Sequence, residues 1–199
     1  MKKSIWLGAT LLGASLFSAP LMAAEEVYTI DSTHTFPSYT YSHFGLSQQQ
    51  HQFNNVTGTV TVDREAKTAT VDVTIDMTSI ETGYDVFNEH IQNEDFFHTA
   101  EHPTATFVSE TVKVKGDEPV SVDGLLTIKG ITKPVTLTLS HFVYMDKHPM
   151  LEVPAFGANA SVQILRSDFD VDKYAPYVSD EVTINIAIEA IQQAEEAAE

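Results

Sequence analysis

The segment 182–189 reads Val-Thr-Ile-Asn-Ile-Ala-Ile-Glu, with an apolar residue at every second position from Val182 to Ile188. Successive side chains of a β-strand point to opposite faces of its sheet, so this alternation predicts a strand with one buried face. The segment 71–77, Val-Asp-Val-Thr-Ile-Asp-Met, repeats the pattern. The two segments together favour an all-β fold built from strands that each cover a core on one side.

Further short segments with strand-like composition lie at 56–62, 104–114, 120–128, 135–143 and 158–164. Turn sequences such as Lys129-Gly130 separate them. Strands at this spacing, without long helices between them, predict an antiparallel sandwich or barrel. Only the segment 84–97 has apolar residues at helical spacing, and it predicts a single helix that covers one end of the β structure.

The composition excludes several classes of protein. The chain has 199 residues, 43% of them hydrophobic, which is enough to bury a core in one domain. Its 28 Asp and Glu outnumber 11 Lys and Arg, and a formal net charge of −17 argues against nucleic acid as a partner. Because cysteine is absent, the chain has no disulfide, thiolate nucleophile or iron–sulfur cluster.

The N-terminal segment is typical of a secretory signal. Lys2 and Lys3 precede an apolar run over 5–17, and small residues follow it up to Ala23. The run is shorter than the roughly 20 apolar residues that span a membrane. We therefore predict a signal peptide over 1–23, a single domain over 24–191 and an acidic tail over 192–199. After cleavage the protein is expected in the periplasm, without stable membrane insertion.

The interior of a small barrel is either filled by side chains or wide enough for one ligand. The inner face would carry Val, Ile, Leu and Phe without a cluster of converging charges. Such a wall suits a hydrocarbon chain, since burial of each CH2 contributes about 0.8 kcal/mol. The pattern itself leaves two interpretations open, a lipid-binding pocket and a dry-core stress or interaction module.

Three parts of the sequence occur in a fixed order and carry family-specific motifs. The first is 28–45, which begins YTIDSTH, and the second is 78–107, which begins TSIET and ends PTATF. The third reads GLLTIKGITKPV over 124–135, followed by RSDF at 166–169 and the closing alternating strand. Together they resemble the YceI-like family of lipid- or polyisoprenoid-binding periplasmic proteins, and the third is the most specific.

The resemblance implies a lipocalin-like antiparallel eight-stranded β-barrel with one capping helix. It implies an apolar tunnel that binds a polyisoprenoid or similar long-chain lipid, such as a quinone precursor, and it implies a homodimer. It implies no catalysis and no cofactor other than the lipid. The chain departs from the family pattern at Phe87, Asn88 and His102, and at Tyr39 and Tyr41, whose phenols add polar groups to the first strand.

Alternation along the strands selects a set of side chains for the inner face. We predict that this set lines the ligand tunnel: Tyr39, Tyr41, His43, Val71, Val73, Ile75, Met77, Phe107, Leu126, Ile128, Val162, Ile164, Arg166, Ile184 and Ile186. Arg166 is the charged member of the set, and an unpaired guanidinium there would be costly. It is expected to bind a carboxylate or carbonyl partner, or to reach a polar headgroup at the mouth.

A zinc-dependent hydrolase is the alternative from another class. His98-Thr99-Ala100-Glu101-His102 matches the H-x-x-E-H motif, in which two histidines on one helix face bind zinc and the glutamate acts as base. Pro103 disfavours helical geometry at His102, where the second ligand would lie. We therefore expect neither a metal nor catalytic residues, and we retain lipid binding as the prediction.

Overall fold

The computed structural model of the protein describes residues 25–116 and 118–193. The strands within these ranges are β1 Glu26–Ile30, β2 Ser38–His43, β3 Ser47–Phe53, β4 Val56–Asp63, β5 Thr68–Asp76, β6 Ile80–Glu81, β7 Thr104–Lys115, β8 Glu118–Ile128, β9 Ile131–Met145, β10 Ala155–Leu165 and β11 Glu181–Gln192. The helix α1 is Asp85–His90, and 3-10 turns lie at Met77–Ser79 and Arg166–Phe169. The predicted signal peptide and residues 194–199 of the predicted tail lie outside the described residues.

The sheet closes on itself. Its strands follow the order β1-β4-β5-β7-β8-β9-β10-β11, and β11 pairs back with β1. Neighbouring strands in this ring are antiparallel. The eight-stranded antiparallel barrel predicted from the sequence is confirmed.

One edge of β11 pairs with β10, and the other edge pairs with two different strands along its length. Near its C-terminal end Ile191 lies opposite Thr29 of β1, and near its N-terminal end Ile184 lies opposite Tyr39 of β2. Strand β2 pairs with β3, and β3 pairs with β6. These three short strands therefore extend the barrel wall at one end only, beside α1.

Strand β9 begins four residues before the predicted segment 135–143. Lys129 and Gly130, which connect β8 to β9, have φ of 52° and 74°. Positive φ at both central residues gives a turn whose twist matches that of the flanking strands, so pairing continues directly from Ile128 opposite Ile131. The strand ladder therefore reaches the turn itself.

The helix is shorter than the predicted segment 84–97. The backbone N–H of Asn93 still bonds to the carbonyl of His90, but the Asn93 side chain accepts a hydrogen bond from the Asp95 N–H at 3.0 Å. This local side-chain bond offers the backbone an alternative to helical pairing, and the chain continues in turns. Among the described residues, no helix is long and apolar enough to cross a membrane.

The two ends of the barrel carry different elements. The end that we call the α1 end carries α1, the β2–β3 turn at residues 44–46 and the segment 166–180. The end that we call the turn end carries the β4–β5 turn at residues 64–67 and the start of β1. Buried side chains form one cluster at each end and a third between them. The interior between these clusters determines what the barrel can bind.

Candidate ligand-binding cavity

The barrel encloses a cavity of about 1060 Å³. Its lining extends from Lys67 and Gly116 at the turn end to His43 and Lys173 at the α1 end. A close-packed interior contains few voids larger than a water molecule, whereas pockets for small ligands measure roughly 300–1,000 Å³. The interior is therefore not the filled core that the dry-core interpretation requires.

All the residues that alternation placed on the inner face border this cavity. Strand β2 contributes Tyr39, Tyr41 and His43; β5 and the 3-10 turn after it contribute Val71, Val73, Ile75 and Met77; β7 contributes Phe107; β8 contributes Leu126 and Ile128; β10 contributes Val162 and Ile164; the second 3-10 turn contributes Arg166; and β11 contributes Ile184 and Ile186. Their contact with a ligand stays a prediction.

Aromatic and imidazole side chains in the wall were missed from the sequence. At the α1 end they include His51, Phe53, Phe87, Phe96, Phe97 and Phe169, and at the turn end they include Tyr28, Tyr144 and Phe156. His51 lies on β3, whose sequence SQQQHQF has no apolar alternation. A hairpin that turns at Phe44–Gly45–Leu46 pairs His43 with Ser47 and therefore Tyr39 with His51. This register could have predicted that His51 faces the interior together with Tyr39.

Arg166 is held by backbone carbonyl groups. Its Nε donates to the Ser179 carbonyl at 2.8 Å and its Nη2 donates to the Val178 carbonyl at 2.7 Å. Its Nη1 donates to the carbonyl oxygens of Val171 and Lys173. The expected carbonyl partners are therefore present, and the guanidinium ties the segment 171–179 to the barrel.

At the turn end, polar side chains form a hydrogen-bonded cluster. The Tyr28 hydroxyl donates to Glu26 Oε2 at 2.6 Å, and Arg64 donates to Glu26 Oε1 at 2.7 Å and to the Tyr28 oxygen at 3.1 Å. The Arg64 guanidinium also lies 4.2 Å from the centre of the Tyr144 ring. The hydrogen bond from Arg64 lowers the pKa of Glu26, while burial and the bond to Glu26 raise the pKa of Tyr28.

At the α1 end, three rings stack along the cavity wall. His51 lies opposite Tyr39 in the β2–β3 pair, with ring centres 5.5 Å apart, and its ring is 5.4 Å from that of Tyr41. The Tyr41 oxygen lies 3.1 Å from His51 Nε2. Burial raises the pKa of both phenols and lowers the pKa of the imidazole. All three groups are therefore uncharged near neutral pH.

The H-x-x-E-H residues lie together without forming a helix. One ligand atom from each of His98, Glu101 and His102 lies within 4.8 Å of the others. The segment 98–101 is a turn, and His98 has φ of 49°, outside the helical region. The His102 N–H bonds to the His98 carbonyl at 2.9 Å, so the motif forms a single turn rather than the continuous helix on which it occurs in zinc hydrolases.

The comparisons with known proteins agree with this architecture. A family model described as the YceI-like domain matches residues 28–190. The chain is 33% identical over 194 residues to protein YceI of Escherichia coli, covering 97% of this chain and 100% of that protein.

Two solved structures share the fold. BcnA of Burkholderia cenocepacia matches with a TM-score of 0.68 at 24% identity, covering 80% of this chain and 98% of that one. A domain from Saccharophagus degradans, described as polyisoprenoid-binding and implicated in plant cell wall breakdown, matches with a TM-score of 0.64 at 18% identity, covering 83% and 98%. With the family model spanning nearly all of the described residues, the chain belongs to the YceI-like family.

Proposed function

We propose that the protein binds and carries, or sequesters, a polyisoprenoid or similar long-chain lipid inside its barrel, without catalysis. The observation that supports this most strongly is the apolar cavity of about 1060 Å³, which extends along the barrel interior. The Saccharophagus degradans domain that shares the fold is described as polyisoprenoid-binding. Membership of the YceI-like family supports the same class of ligand.

The chemistry of the wall suits an unreactive chain. Valine, isoleucine, leucine and phenylalanine side chains from β5, β7, β8, β10 and β11 form the middle of the cavity. Such a surface binds a hydrocarbon by removing it from water, at about 0.8 kcal/mol per buried CH2 before the entropic cost of ordering the chain. The aliphatic and phenylalanine side chains in this middle part carry no group that attacks or protonates the ligand.

The proposal also covers location and assembly. The basic and apolar segment 1–23 favours export, so we place the mature protein in the periplasm. As the family resemblance implies, the lipid is its ligand, no metal or other cofactor is needed, and the protein forms a homodimer. Its strong negative charge disfavours nucleic acid as a partner.

The test is native mass spectrometry of the exported protein, followed by organic extraction and mass analysis of the released material. We expect a stoichiometric long-chain species with isoprene-spaced fragments, and the same spectrum reports the oligomeric state. Protein that is repeatedly isolated without a long-chain molecule, and that takes none up from solution, would contradict the proposal.

Two tryptophan substitutions test whether the lipid binds in the cavity. Ala160 of β10 borders the cavity, whereas Ala187 of β11 is exposed and lies outside the lining. Ala160→Trp should fill part of the cavity and abolish the co-purifying lipid, while Ala187→Trp should retain it. Equal lipid content in the two variants would show that the lipid binds elsewhere.

A further inference from the structure

Exposed apolar and aromatic side chains lie together at the α1 end of the cavity. They come from three separate parts of the chain: the β2–β3 turn, the first residues of the α1 region and the segment 171–179. We call them the apolar rim, and its members are Phe44, Leu46, Tyr84, Val86, Tyr174 and Tyr177. A concentration of exposed apolar surface of this kind marks a site of contact with a protein or a membrane.

Hydrogen bonding holds two parts of the apolar rim together. The Phe44 N–H donates to the Tyr177 carbonyl at 2.8 Å, and the two rings stack with their centres 6.3 Å apart. Phe44 and Gly45 have φ of 55° and 69°, and the Leu46 N–H donates to the His43 carbonyl at 2.9 Å. The turn is therefore a defined structure that presents Phe44 and Leu46 to the outside.

The apolar rim is contiguous with the cavity wall. Tyr84 and Tyr174 border the cavity although both side chains are exposed. His43 and Val178 also border it, and they precede and follow Phe44 and Tyr177 in the sequence. A hydrocarbon chain that enters or leaves the cavity at this end passes directly over the apolar rim.

The hairpin that carries Phe44 and Leu46 has no formal charge. No Asp, Glu, Lys or Arg occurs in the segment 32–62, although 20% of the chain consists of these residues. Moving a charged side chain out of water is costly, and an apolar side chain gains by the same transfer. The tip of this hairpin can therefore leave water without desolvating a charged side chain of its own.

The turn end contains apolar residues of equal exposure in a different setting. Met150 and Leu151 are 82% and 54% exposed, against 84% for Leu46 and 54% for Phe44. They lie outside the cavity lining, and the ion pair of Lys147 with Glu152, at 2.9 Å, flanks them. Apolar exposure is therefore found at both ends, but only at the α1 end does it combine with an uncharged hairpin and the cavity.

We propose that the α1 end docks on a phospholipid bilayer, with Phe44, Leu46 and Tyr177 in the interfacial region and the adjoining cavity facing the lipid. The choice of a bilayer rests on the proposed function, since a long-chain lipid resides in a membrane rather than in water. Aromatic side chains, and tyrosine above all, suit the boundary between apolar and wet surroundings. A contiguous apolar path lets the chain move between bilayer and cavity without full exposure to water.

The charge of the protein selects the kind of bilayer. The formal net charge is −17, and the apolar rim itself contains no Lys or Arg. Anionic headgroups attract basic segments and repel an acidic protein. The docking surface therefore fits a zwitterionic bilayer, and the attachment is peripheral.

Flotation of the delipidated protein with phosphatidylcholine vesicles measures the docking, and solanesol, an uncharged polyisoprenol in the same vesicles, reports lipid uptake. Phe44→Asn combined with Leu46→Ser should weaken vesicle binding on the order of a hundredfold, since partial burial of each side chain contributes about tenfold. Asparagine tolerates the positive φ at position 44. Uptake of solanesol from vesicles should slow, while uptake from detergent solution stays at the wild-type level.

Met150→Ser combined with Leu151→Asn is the control, because these side chains match the exposure of Leu46 and Phe44. This variant should bind vesicles as wild type does. Equal loss in the two variants, or no loss in the rim variant, would overturn docking through the apolar rim. Partial replacement of phosphatidylcholine by phosphatidylglycerol should weaken binding, and stronger binding would overturn the proposed surface.

Two further outcomes separate the alternatives. If wild type is a dimer without vesicles and the rim variant is a monomer, the apolar rim is a contact between two copies of the chain and bilayer docking is wrong. If wild type takes up solanesol from detergent but does not float with vesicles, docking is wrong and lipid binding stands. If it floats but takes up solanesol from neither source, the proposed function fails and docking stands.

Discussion

Each end of the barrel carries a tyrosine and an arginine in the cavity wall, but their hydrogen-bond partners differ between the two ends. At the turn end, Tyr28 and Arg64 bond to each other and to Glu26. At the α1 end, the hydroxyl of Tyr39 has no hydrogen-bond partner among the described residues, and Arg166 bonds to backbone carbonyl groups. The polar side chains of the turn end are therefore bonded to one another, whereas the α1 end contains a buried hydroxyl that the described residues leave unpaired.

The two arginines contribute differently to the stability of the fold. Arg64 forms an ion pair with Glu26 while both side chains stay partly exposed, at 47% and 27%. Such a pair is screened by water and contributes little. Arg166 is half-buried, and its guanidinium satisfies carbonyl groups that water reaches poorly. The α1 end therefore depends more strongly on its arginine than the turn end does.

The largest expected effect is at Arg166. Arg166→Met removes hydrogen bonds to the segment 171–179 and leaves several carbonyl groups unpaired, so it should lower the free energy of unfolding by about 3 kcal/mol. Urea denaturation measures this. Lys133→Met is the control. The Lys133 Nζ lies 3.9 Å from the exposed Asp168, which is a long and weak ion pair, so this substitution should lower the free energy of unfolding by less than about 0.5 kcal/mol. Equal costs would refute the assigned role of Arg166.

The apolar half of the site could be predicted from the sequence because strand periodicity specifies which face is buried. Val71, Val73 and Ile75 could be assigned to the interior from their spacing in β5 alone. The same rule applied to β10 placed Val162 and Ile164 inward. Alternation is a local property, so no knowledge of the neighbouring strands was needed.

The polar half could not be predicted in this way, since it depends on contacts between distant segments. His51 was missed because β3 is rich in glutamine, and its place in the cavity follows from its register with Tyr39. The carbonyl partners of Arg166 come from a loop whose path has no periodic signal. The predicted length of the helix was also wrong, because the turn at Asn93 competes with helical pairing.

The next effect compares one substitution at the two ends. Tyr28→Phe breaks the bonds to Glu26 and Arg64 and should destabilise the protein by about 1 kcal/mol. Tyr39→Phe removes a buried hydroxyl that has no partner in the described ranges 25–116 and 118–193, so it should leave the stability of the delipidated protein unchanged or raise it by up to about 1 kcal/mol. Urea denaturation of the delipidated variants checks both signs, and equal destabilisation would contradict the contrast between the ends.

A smaller effect is expected in the pH dependence of the turn end. Arg64 lowers the pKa of Glu26 in the folded protein, so the stabilisation is present above the ordinary glutamate pKa of 4.5. It is lost as the pH falls through the lowered value, because the protonated carboxyl no longer pairs with the guanidinium. Between pH 7 and pH 3, wild type should lose about 0.5 kcal/mol more than Arg64→Met. Urea denaturation at the two pH values measures this loss. If wild type and Arg64→Met lose the same free energy of unfolding, the assigned role of the Arg64–Glu26 pair is wrong.

The smallest expected effect concerns the cluster of His98, Glu101 and His102, which we expect to have no role in lipid binding. The described residues contain a second such cluster, Asp31, His34 and Glu189, whose ligand atoms also lie within 4.8 Å of one another. In a chain with 28 acidic residues such proximity arises readily on a surface, so it does not by itself indicate a metal centre.

The double variant His98→Ala with His102→Ala should therefore bind the same amount of lipid as wild type. Its free energy of unfolding should lie within about 0.5 kcal/mol of the wild-type value. Metal analysis after chelator treatment should give the same result for both proteins. Stoichiometric zinc that resists the chelator in wild type and disappears in the double variant would restore the hydrolase alternative. That outcome would require the turn at 98–101 to hold His98 and His102 in a metal geometry that in hydrolases comes from a helix, with each ligating nitrogen about 2.0–2.1 Å from the zinc.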